Sequence, residues 1–114
     1  MEQRFEPHVF TRHTLKLHAL IIERQAWFCA RDIGRLMGMF FHDRITLKLA
    51  PDQRRSVMLR YYDEYKEVQV ISESGVYAML IYHHHPENQP LGQWLTYHVL
   101  PLLHDARTPE RLNA

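Results

Sequence analysis

The sequence predicts an α+β domain made of two β-hairpins, the first extended into a small meander, interleaved with about four short helices. Two observations support this prediction. Apolar and polar residues alternate with a period of two from Leu15 to Ile22, as in a half-buried strand. Apolar residues then recur every three or four positions between Ser72 and His104, which is the spacing of a buried helix face. At 114 residues, with 46% hydrophobic and 24% charged residues, the chain has the size and composition of one globular domain.

The N-terminal third predicts a meander of three strands. Val9 and Phe10 precede the Leu15–Ile22 strand across a polar segment, as expected for a hairpin. The β-prone segment 26–28 follows a second polar turn and can pair with that strand.

A first helix is predicted near residues 31–37. Asp32 falls in its first turn, where the helix dipole favours an acidic side chain, and Gly38 supplies a stop in the left-handed conformation. A second short helix is predicted from Phe41 to Leu49, before Pro51.

The second hairpin is predicted from two β-prone runs, Ser56–Tyr62 and Glu67–Ile71, joined by polar residues 63–66. Ser72 is placed to cap the following helix. The buried stripe of that helix is predicted to contain Val76, Tyr77, Leu80 and Ile81.

The last helix is predicted to begin at a cap formed by Asn88 and to bend or end at Pro101. Residues 1–107 then form a single domain, and residues 108–114 are expected to be a loose tail.

Charge is distributed unevenly, although the net charge is only +1. Residues 31–60 contain seven Arg and Lys against three Asp, which gives +4, whereas residues 61–90 contain one Lys against five acidic residues, which gives −4. The blocks imply a polar surface with two faces, unless they simply satisfy each other in solvent. The candidate phosphate contacts in the basic block are Arg31, Arg35, Arg44, Lys48, Arg54, Arg55 and Arg60.

Motifs that signal catalysis are absent from the sequence. It contains no nucleophile elbow, phosphate-binding glycine loop, dinucleotide fingerprint or zinc-protease motif, so no enzyme, catalytic residue or cofactor is predicted. The three histidines at 83–85 suggest a metal site, but successive helical side chains point about 100° apart. They are predicted instead to cap carbonyls at a helix end, and no metal is expected.

Cys29 is the only cysteine, which excludes an intramolecular disulfide and fits a reducing cytoplasm. Its position at a helix entry makes a reactive thiol conceivable, but its apolar neighbours favour a small buried residue. Trp27 and Trp94 are predicted to fill the core rather than to stack on bases. The chain shows neither a signal-peptide pattern nor an apolar run long enough to span a membrane.

Two blocks of sequence resemble the BRO-N domain, the N-terminal domain of baculovirus BRO proteins and many prophage antirepressors. Residues 26–33 with Met37-Gly38 resemble the family pattern W-F-x-A-x-D-V-x-x-x-L-G. Residues 70–77, Pro86-Glu87, Trp94-Leu95 and residues 99–101 resemble I-S-E-S-G-L-Y, P-E-A and F-x-x-W-V-x-x-E-V-L-P. The resemblance covers roughly Val9 to Arg107 and is specific because the pieces keep their order and spacing.

The chain departs from the family pattern at four places. Gly34 and Asn88 stand where the family has alanine, and Leu91 or Gly92 where a phenylalanine is common. His98 replaces a glutamate, which puts in doubt any contact that the family makes through that acid.

The resemblance implies a gene-regulatory domain of phages, prophages or large DNA viruses. One hypothesis is a DNA-binding regulator that contacts the phosphate backbone in a salt-dependent way, with a homodimer as one route to base readout. The other is a protein-interaction module that inactivates a phage repressor without contacting DNA, with the acidic 61–90 stretch as its candidate surface.

Overall fold

The computed structural model describes residues 3–39, 46, 48–83 and 85–105. Six strands form one mixed sheet: β1 Arg4–Phe5, β2 His8–Arg12, β3 Leu15–Ile22, β4 Gln25–Cys29, β5 Arg54–Tyr61 and β6 Glu64–Ser72. The helices are α1 Ala30–Leu36, α2 Glu73–Tyr82 and α3 Asn88–Trp94, and a single 3₁₀ turn spans Pro51–Gln53. The predicted α+β class is confirmed.

The strand order is β1-β5-β6-β4-β3-β2, and every pair is antiparallel except β1 with β5. Both predicted hairpins are present, as β2 with β3 and β5 with β6, and β4 pairs with β3 as expected. The second hairpin is longer than predicted, because β6 begins at Glu64 and only Tyr62 and Asp63 remain in the turn. Pairing of β4 with β6 joins the hairpins into one sheet, which the sequence did not predict.

The turns on either side of β3 have an unusual backbone. His13 and Thr14 have positive φ angles of 52° and 67°, and Glu23 and Arg24 have 52° and 70°. A two-residue turn with positive φ at both residues has a backbone twist that matches the twist of the flanking strands. Asn-Gly is the residue pair that such turns prefer. Both turns are therefore tight but strained for the residues that they contain.

The main core lies between the helices and one face of the sheet. It contains inward residues of β3, β4 and β6 and the buried residues of all three helices; the largest of them are Leu17, Phe28, Ile33, Met37, Ile71, Met79, Leu91, Leu95 and Leu103. A smaller cluster on the other sheet face contains Leu20, Trp27, Val57, Leu59 and Val70. Trp27 is 5% exposed and Trp94 packs partly buried against the main core, which confirms the predicted core role of both.

The helix limits agree with most of the sequence signals. Helix α1 ends at Leu36, and Gly38 follows with φ 73°, as predicted. The Ser72 hydroxyl accepts a hydrogen bond from the backbone N–H of Gly75, which confirms the predicted cap of α2. The helix predicted from Phe41 to Leu49 falls mostly outside the described residues, as does Arg44.

The stripe predicted for α2 is wrong at one position. Ile81 is 73% exposed, whereas Met79, which was left out of the stripe, is fully buried. Ile81 follows Met79 by two residues, which is about 200° of helix rotation, so the two side chains point to opposite sides of the helix.

One prediction about a helix end is also corrected. Asn88 does not cap α3: its side-chain amide donates to the carbonyls of Leu80 and His83 and so closes the end of α2. Nearby, the imidazole of His85 accepts from the backbone N–H of Glu87 at 3.1 Å.

The last helix continues through Pro101. A π-helical stretch, Leu95–Val99, follows α3, and residues 100–105 are again helical. A π-bulge shifts the register of the backbone hydrogen bonds, and this allows a residue without an N–H to sit inside the helix.

Candidate nucleic-acid interface

A cleft opens where the sheet loses a strand. Strand β4 ends at Cys29, which pairs with Val70, so residues 64–69 of β6 have no described strand partner on that side. The first turn of α1 lies there instead, and the cleft between helix and strand has a volume of about 280 Å³. Its lining is mostly polar and consists of Cys29, Ala30, Arg31, Thr46, Ser56, Tyr61 and residues 66–69.

Side chains of both charge signs line this cleft, and the cations outnumber the acid. Arg31 and Lys66 line it together with one acid, Glu67. The Lys66 ammonium lies 3.5 Å from Glu64 and 5.9 Å from the ring centroid of Tyr61. No described carboxylate lies within ion-pair distance of Arg31, which is exposed.

A buried hydrogen-bond network holds α1 in place beside the cleft. Asp32 is fully buried, and its Oδ2 accepts from the backbone N–H of His18 at 2.7 Å and lies 2.8 Å from Nδ1 of the same residue. Its Oδ1 accepts from the Tyr61 hydroxyl at 2.7 Å. One carboxylate thus ties α1 to β3 and to β5, across the place where the sheet is incomplete.

Arg35 and the rings around His18 complete this network. The Arg35 guanidinium donates to the Tyr61 hydroxyl at 3.2 Å and lies 3.6 Å from Oδ1 of Asp32. The ring centroids of Tyr61 and Tyr62 lie 4.5 and 5.0 Å from that of His18. Tyr62 holds a φ of 60° in the β5–β6 turn, so its packing on His18 offsets a backbone conformation that tyrosine disfavours.

Two side chains in this region, Cys29 and Tyr61, have pKa values above their ordinary ones. Burial raises the pKa of the Cys29 thiol to about 11, and the nearby charge of Asp32 adds to the effect. Burial and the hydrogen bond to Asp32 also raise the pKa of the Tyr61 hydroxyl. Cys29 is 1% exposed, so the buried-residue interpretation is confirmed and a reactive thiolate is excluded at neutral pH.

The structure separates the predicted phosphate contacts that it describes, which are all but Arg44. Arg54 and Arg60 project from one face of β5 and Arg55 from the other, because their positions differ in parity. Arg55 lies over the Trp27 ring, 5.5 Å from its centroid, on the face of the smaller cluster. The basic block is therefore not one continuous surface.

Two of the six candidates that the structure describes have acidic partners. Arg35 belongs to the Asp32 network, and Arg60 lies 3.8 Å from Glu6 and over the Tyr65 ring. Among the described residues, no carboxylate lies within 4.0 Å of Arg31, Lys48, Arg54 or Arg55.

Arg54 and Lys48 lie close to the cleft. The Nε of Arg54 donates to the carbonyl of Leu49 at 3.3 Å, which brings the guanidinium next to the backbone that follows Lys48. Arg54 also shares a sheet face with Ser56, two residues along the strand, and Ser56 lines the cleft. Of these three predicted cations, Arg31 lines the cleft itself, whereas Arg54 and Lys48 are neighbours of it through Ser56 and the carbonyl of Leu49.

The expected division into a basic and an acidic face is wrong. Strands β5 and β6 pair in full, so Met58 is opposite Glu67 and Leu59 is opposite Lys66. Glu87 lies elsewhere and pairs with Arg12 at 2.7 Å. The two charge blocks mix in space because they occupy neighbouring antiparallel strands.

Lys66 is the cation that sequence reasoning missed. It stands inside the acidic block and was counted against it, although it lines the same cleft as Arg31. In the structure Lys66 pairs with Leu59 of β5. A predicted hairpin that continued to a two-residue turn would have given the same pairing.

No group of three or more histidine, cysteine, aspartate or glutamate side chains in the described part of the chain could hold a metal ion. Within the same residues, no helix is long and apolar enough to cross a membrane.

The model of the BRO family N-terminal domain matches residues 16–101. The chain belongs to the BRO family. The match spans the sheet from β3 onward, the cleft and the three helices, so it covers nearly all of the described BRO domain. No curated protein and no solved structure matches the chain.

Both blocks of sequence that resemble the BRO family have structural roles in this domain. The Trp27-to-Asp32 block ends β4 and delivers the buried carboxylate of the network. In the Ser72-to-Gly75 block, the serine caps α2, and a Cβ at Gly75 would lie 3.0 Å from the carbonyl oxygen of Gln53. Both blocks therefore shape the scaffold that frames the cleft.

Proposed function

We propose that this BRO-family chain is a non-catalytic regulatory protein of a phage, prophage or large DNA virus, and that it binds the DNA backbone through the cation region around the cleft. We define this region as Arg31 and Lys66, which line the cleft, together with Arg54 and Lys48, which are connected to it through Ser56 and the carbonyl of Leu49. Arg44 remains a sequence prediction for the same role, whereas Arg35, Arg55 and Arg60 are assigned to structural contacts. Modulation of transcription would follow from occupying or releasing a DNA site.

One observation supports the proposal most: Arg31, Lys48 and Arg54 make no ion pair with a described carboxylate, and Arg31 lines the polar cleft. Unpaired cations near hydroxyl and amide groups suit phosphate oxygens, which supply most of the affinity in non-specific DNA binding.

The net charge of +1 sets the expected strength. Three or four phosphate contacts give an affinity that falls by roughly a factor of 40 to 150 between about 50 and 200 mM salt. We therefore expect weak and salt-dependent binding to duplex DNA.

Fluorescence anisotropy of a labelled duplex, measured with the whole chain at low and at moderate salt, tests the proposal. Binding at about 50 mM salt that weakens steeply as salt increases supports it. No binding at that salt contradicts it. Capture of a phage repressor by a chain that does not bind DNA would establish the alternative, a protein-interaction module.

A further inference from the structure

One surface of the helical layer carries almost no charge. Between Glu73 and Asp105 the sequence contains a single Asp, Glu, Lys or Arg, which is Glu87, although such residues make up 24% of the chain. Glu87 is paired with Arg12 at 2.7 Å. The surface formed by α2 and the last helix is therefore built from apolar, aromatic and neutral polar side chains.

A groove runs along this surface between the two helices. Its apolar lining includes Leu80, Ile81 and Tyr97, and its volume is about 450 Å³. Ile81 is 73% exposed and Tyr97 is 79% exposed, although both are large apolar side chains. A hydrogen bond between the hydroxyls of Tyr77 and Thr96 crosses the groove.

The composition of the groove is that of the centre of a protein interface. Such centres are depleted in charged residues and enriched in aromatic ones. Exposed apolar residues that cluster in this way mark interaction surfaces, whereas single exposed ones are ordinary. Nucleic acid does not fit this groove, because none of its lining residues is cationic.

The charge of the groove also indicates its partner. In a two-fold dimer each patch meets a copy of itself, so a patch with a net charge of one sign would be repelled by its copy. This groove has none, and its rim carries Gln89, Gln93 and Thr96, whose amides and hydroxyl both donate and accept hydrogen bonds. Such groups can pair with their own copies. We propose that the groove between α2 and the last helix, with Ile81 and Tyr97 at its centre, is the interface through which two copies of this chain form a homodimer.

The dimer does not depend on the proposed DNA contact, but it would strengthen that contact. Two copies present two cation regions on one particle, and linked contacts raise the overall affinity beyond that of one copy. A symmetric pair also matches the two-fold symmetry of a palindromic site.

Sedimentation equilibrium of the whole chain, from about 1 to about 200 µM, tests the proposal directly. The expected mass increases with concentration from 13.7 kDa towards twice that value. Ile81→Glu and Tyr97→Glu are expected to weaken the dimer at least about 30-fold, since each places a charge at the centre of the interface. Both positions are exposed, so both variants should keep the far-UV circular dichroism and the melting temperature of the parent chain.

Val9→Glu is the matched control. Val9 is 48% exposed and follows the opposite parity on β2 to Phe10, which packs against the main core. Its side chain therefore points to the sheet face opposite the helices, and the same kind of charge there should leave the dimer unchanged. A parent chain that stays monomeric over the whole range contradicts the proposal, whatever else covers the groove. A dimer that both groove variants retain, or that Val9→Glu weakens equally, also contradicts it.

Discussion

The carboxylate of Asp32 and the imidazole of His18 lie side by side in the interior, with Oδ2 2.8 Å from Nδ1, and neither residue is more than 2% exposed. The two residues come from different elements, the first turn of α1 and the middle of β3. Since the same carboxylate also accepts from Tyr61 on β5, it connects the two hairpins at the place where β4 ends. A polar cluster, rather than an apolar layer, therefore supports the wall of the cleft.

Replacing Asp32 by asparagine should destabilise the domain. The amide keeps the shape of the carboxylate but offers one acceptor oxygen, so either His18 or Tyr61 loses its partner inside the protein. A buried group left unsatisfied costs about 1–3 kcal/mol, and more when the lost partner is charged. Urea denaturation should show a loss of about 2–4 kcal/mol in the free energy of unfolding.

Asp63→Asn is the control for this change, because Asp63 is exposed in the β5–β6 turn. Its replacement should change stability by less than about 0.5 kcal/mol. Equal effects of the two variants would show that the Asp32 network does not stabilise the fold.

Gly75→Ala should also destabilise the domain. The added Cβ would lie 3.0 Å from the backbone oxygen and 3.3 Å from the Cβ of Gln53, so the 3₁₀ turn and α2 must separate. Overpacking of this kind costs about 1–3 kcal/mol.

Gly92→Ala is a matched comparison, since a Cβ there meets only a methyl of Leu80 at 3.5 Å. Alanine is the better helix former by about 1 kcal/mol, so this variant should be as stable as the parent or more stable. Thermal unfolding of the two variants measures the difference, and a less stable Gly92→Ala would contradict the account.

Glu23→Asn with Arg24→Gly should stabilise the β3–β4 hairpin. Both parent residues have positive φ angles, which Asn and Gly adopt at little cost. We expect a gain of about 1 kcal/mol, seen as an increase of a few degrees in the melting temperature. An unchanged or lower melting temperature would mean that this turn stores no strain.

Alkaline pH should destabilise the fold through Cys29. Its pKa in the folded protein is about 11, above its ordinary value of 9.0, so the unfolded chain loses its thiol proton first as the pH rises. The contribution of this thiol is full below pH 9 and is lost progressively between pH 9 and 11. Cys29→Ala should flatten that decline in urea denaturation measured across this range, and a variant with the same pH dependence as the parent would contradict it.

Local patterns in the sequence predicted much of the fold. The alternation in β3, the cap at Ser72 and the stop at Gly38 each depend on a few neighbouring residues, so each could be predicted without tertiary information. Strand β1 has only two residues and exists through its pairing with β5, which leaves no pattern to detect.

The site was less predictable because it depends on distant contacts. Asp32 lies 14 residues from His18 and 29 from Tyr61 along the chain, and the helix dipole explained its position only in part. Charge counts along the sequence assigned Lys66 to the acidic block, although it lines the cleft with Arg31. They also grouped Arg55 with Arg54, although the two arginines project from opposite faces of β5.

The most direct test of the account measures the salt dependence of DNA binding for two matched variants. Arg31→Gln with Arg54→Gln removes two cations from the cleft region, and Arg24→Gln with Arg55→Gln removes two exposed cations that lie in the β3–β4 turn and on the sheet face opposite Arg54. We predict that the first pair of substitutions reduces the steepness of log K for DNA binding against log salt by about 2, and that the second pair changes this steepness little. Equal slopes for the two pairs, or a greater loss in the second, would contradict the assignment of DNA binding to the cleft.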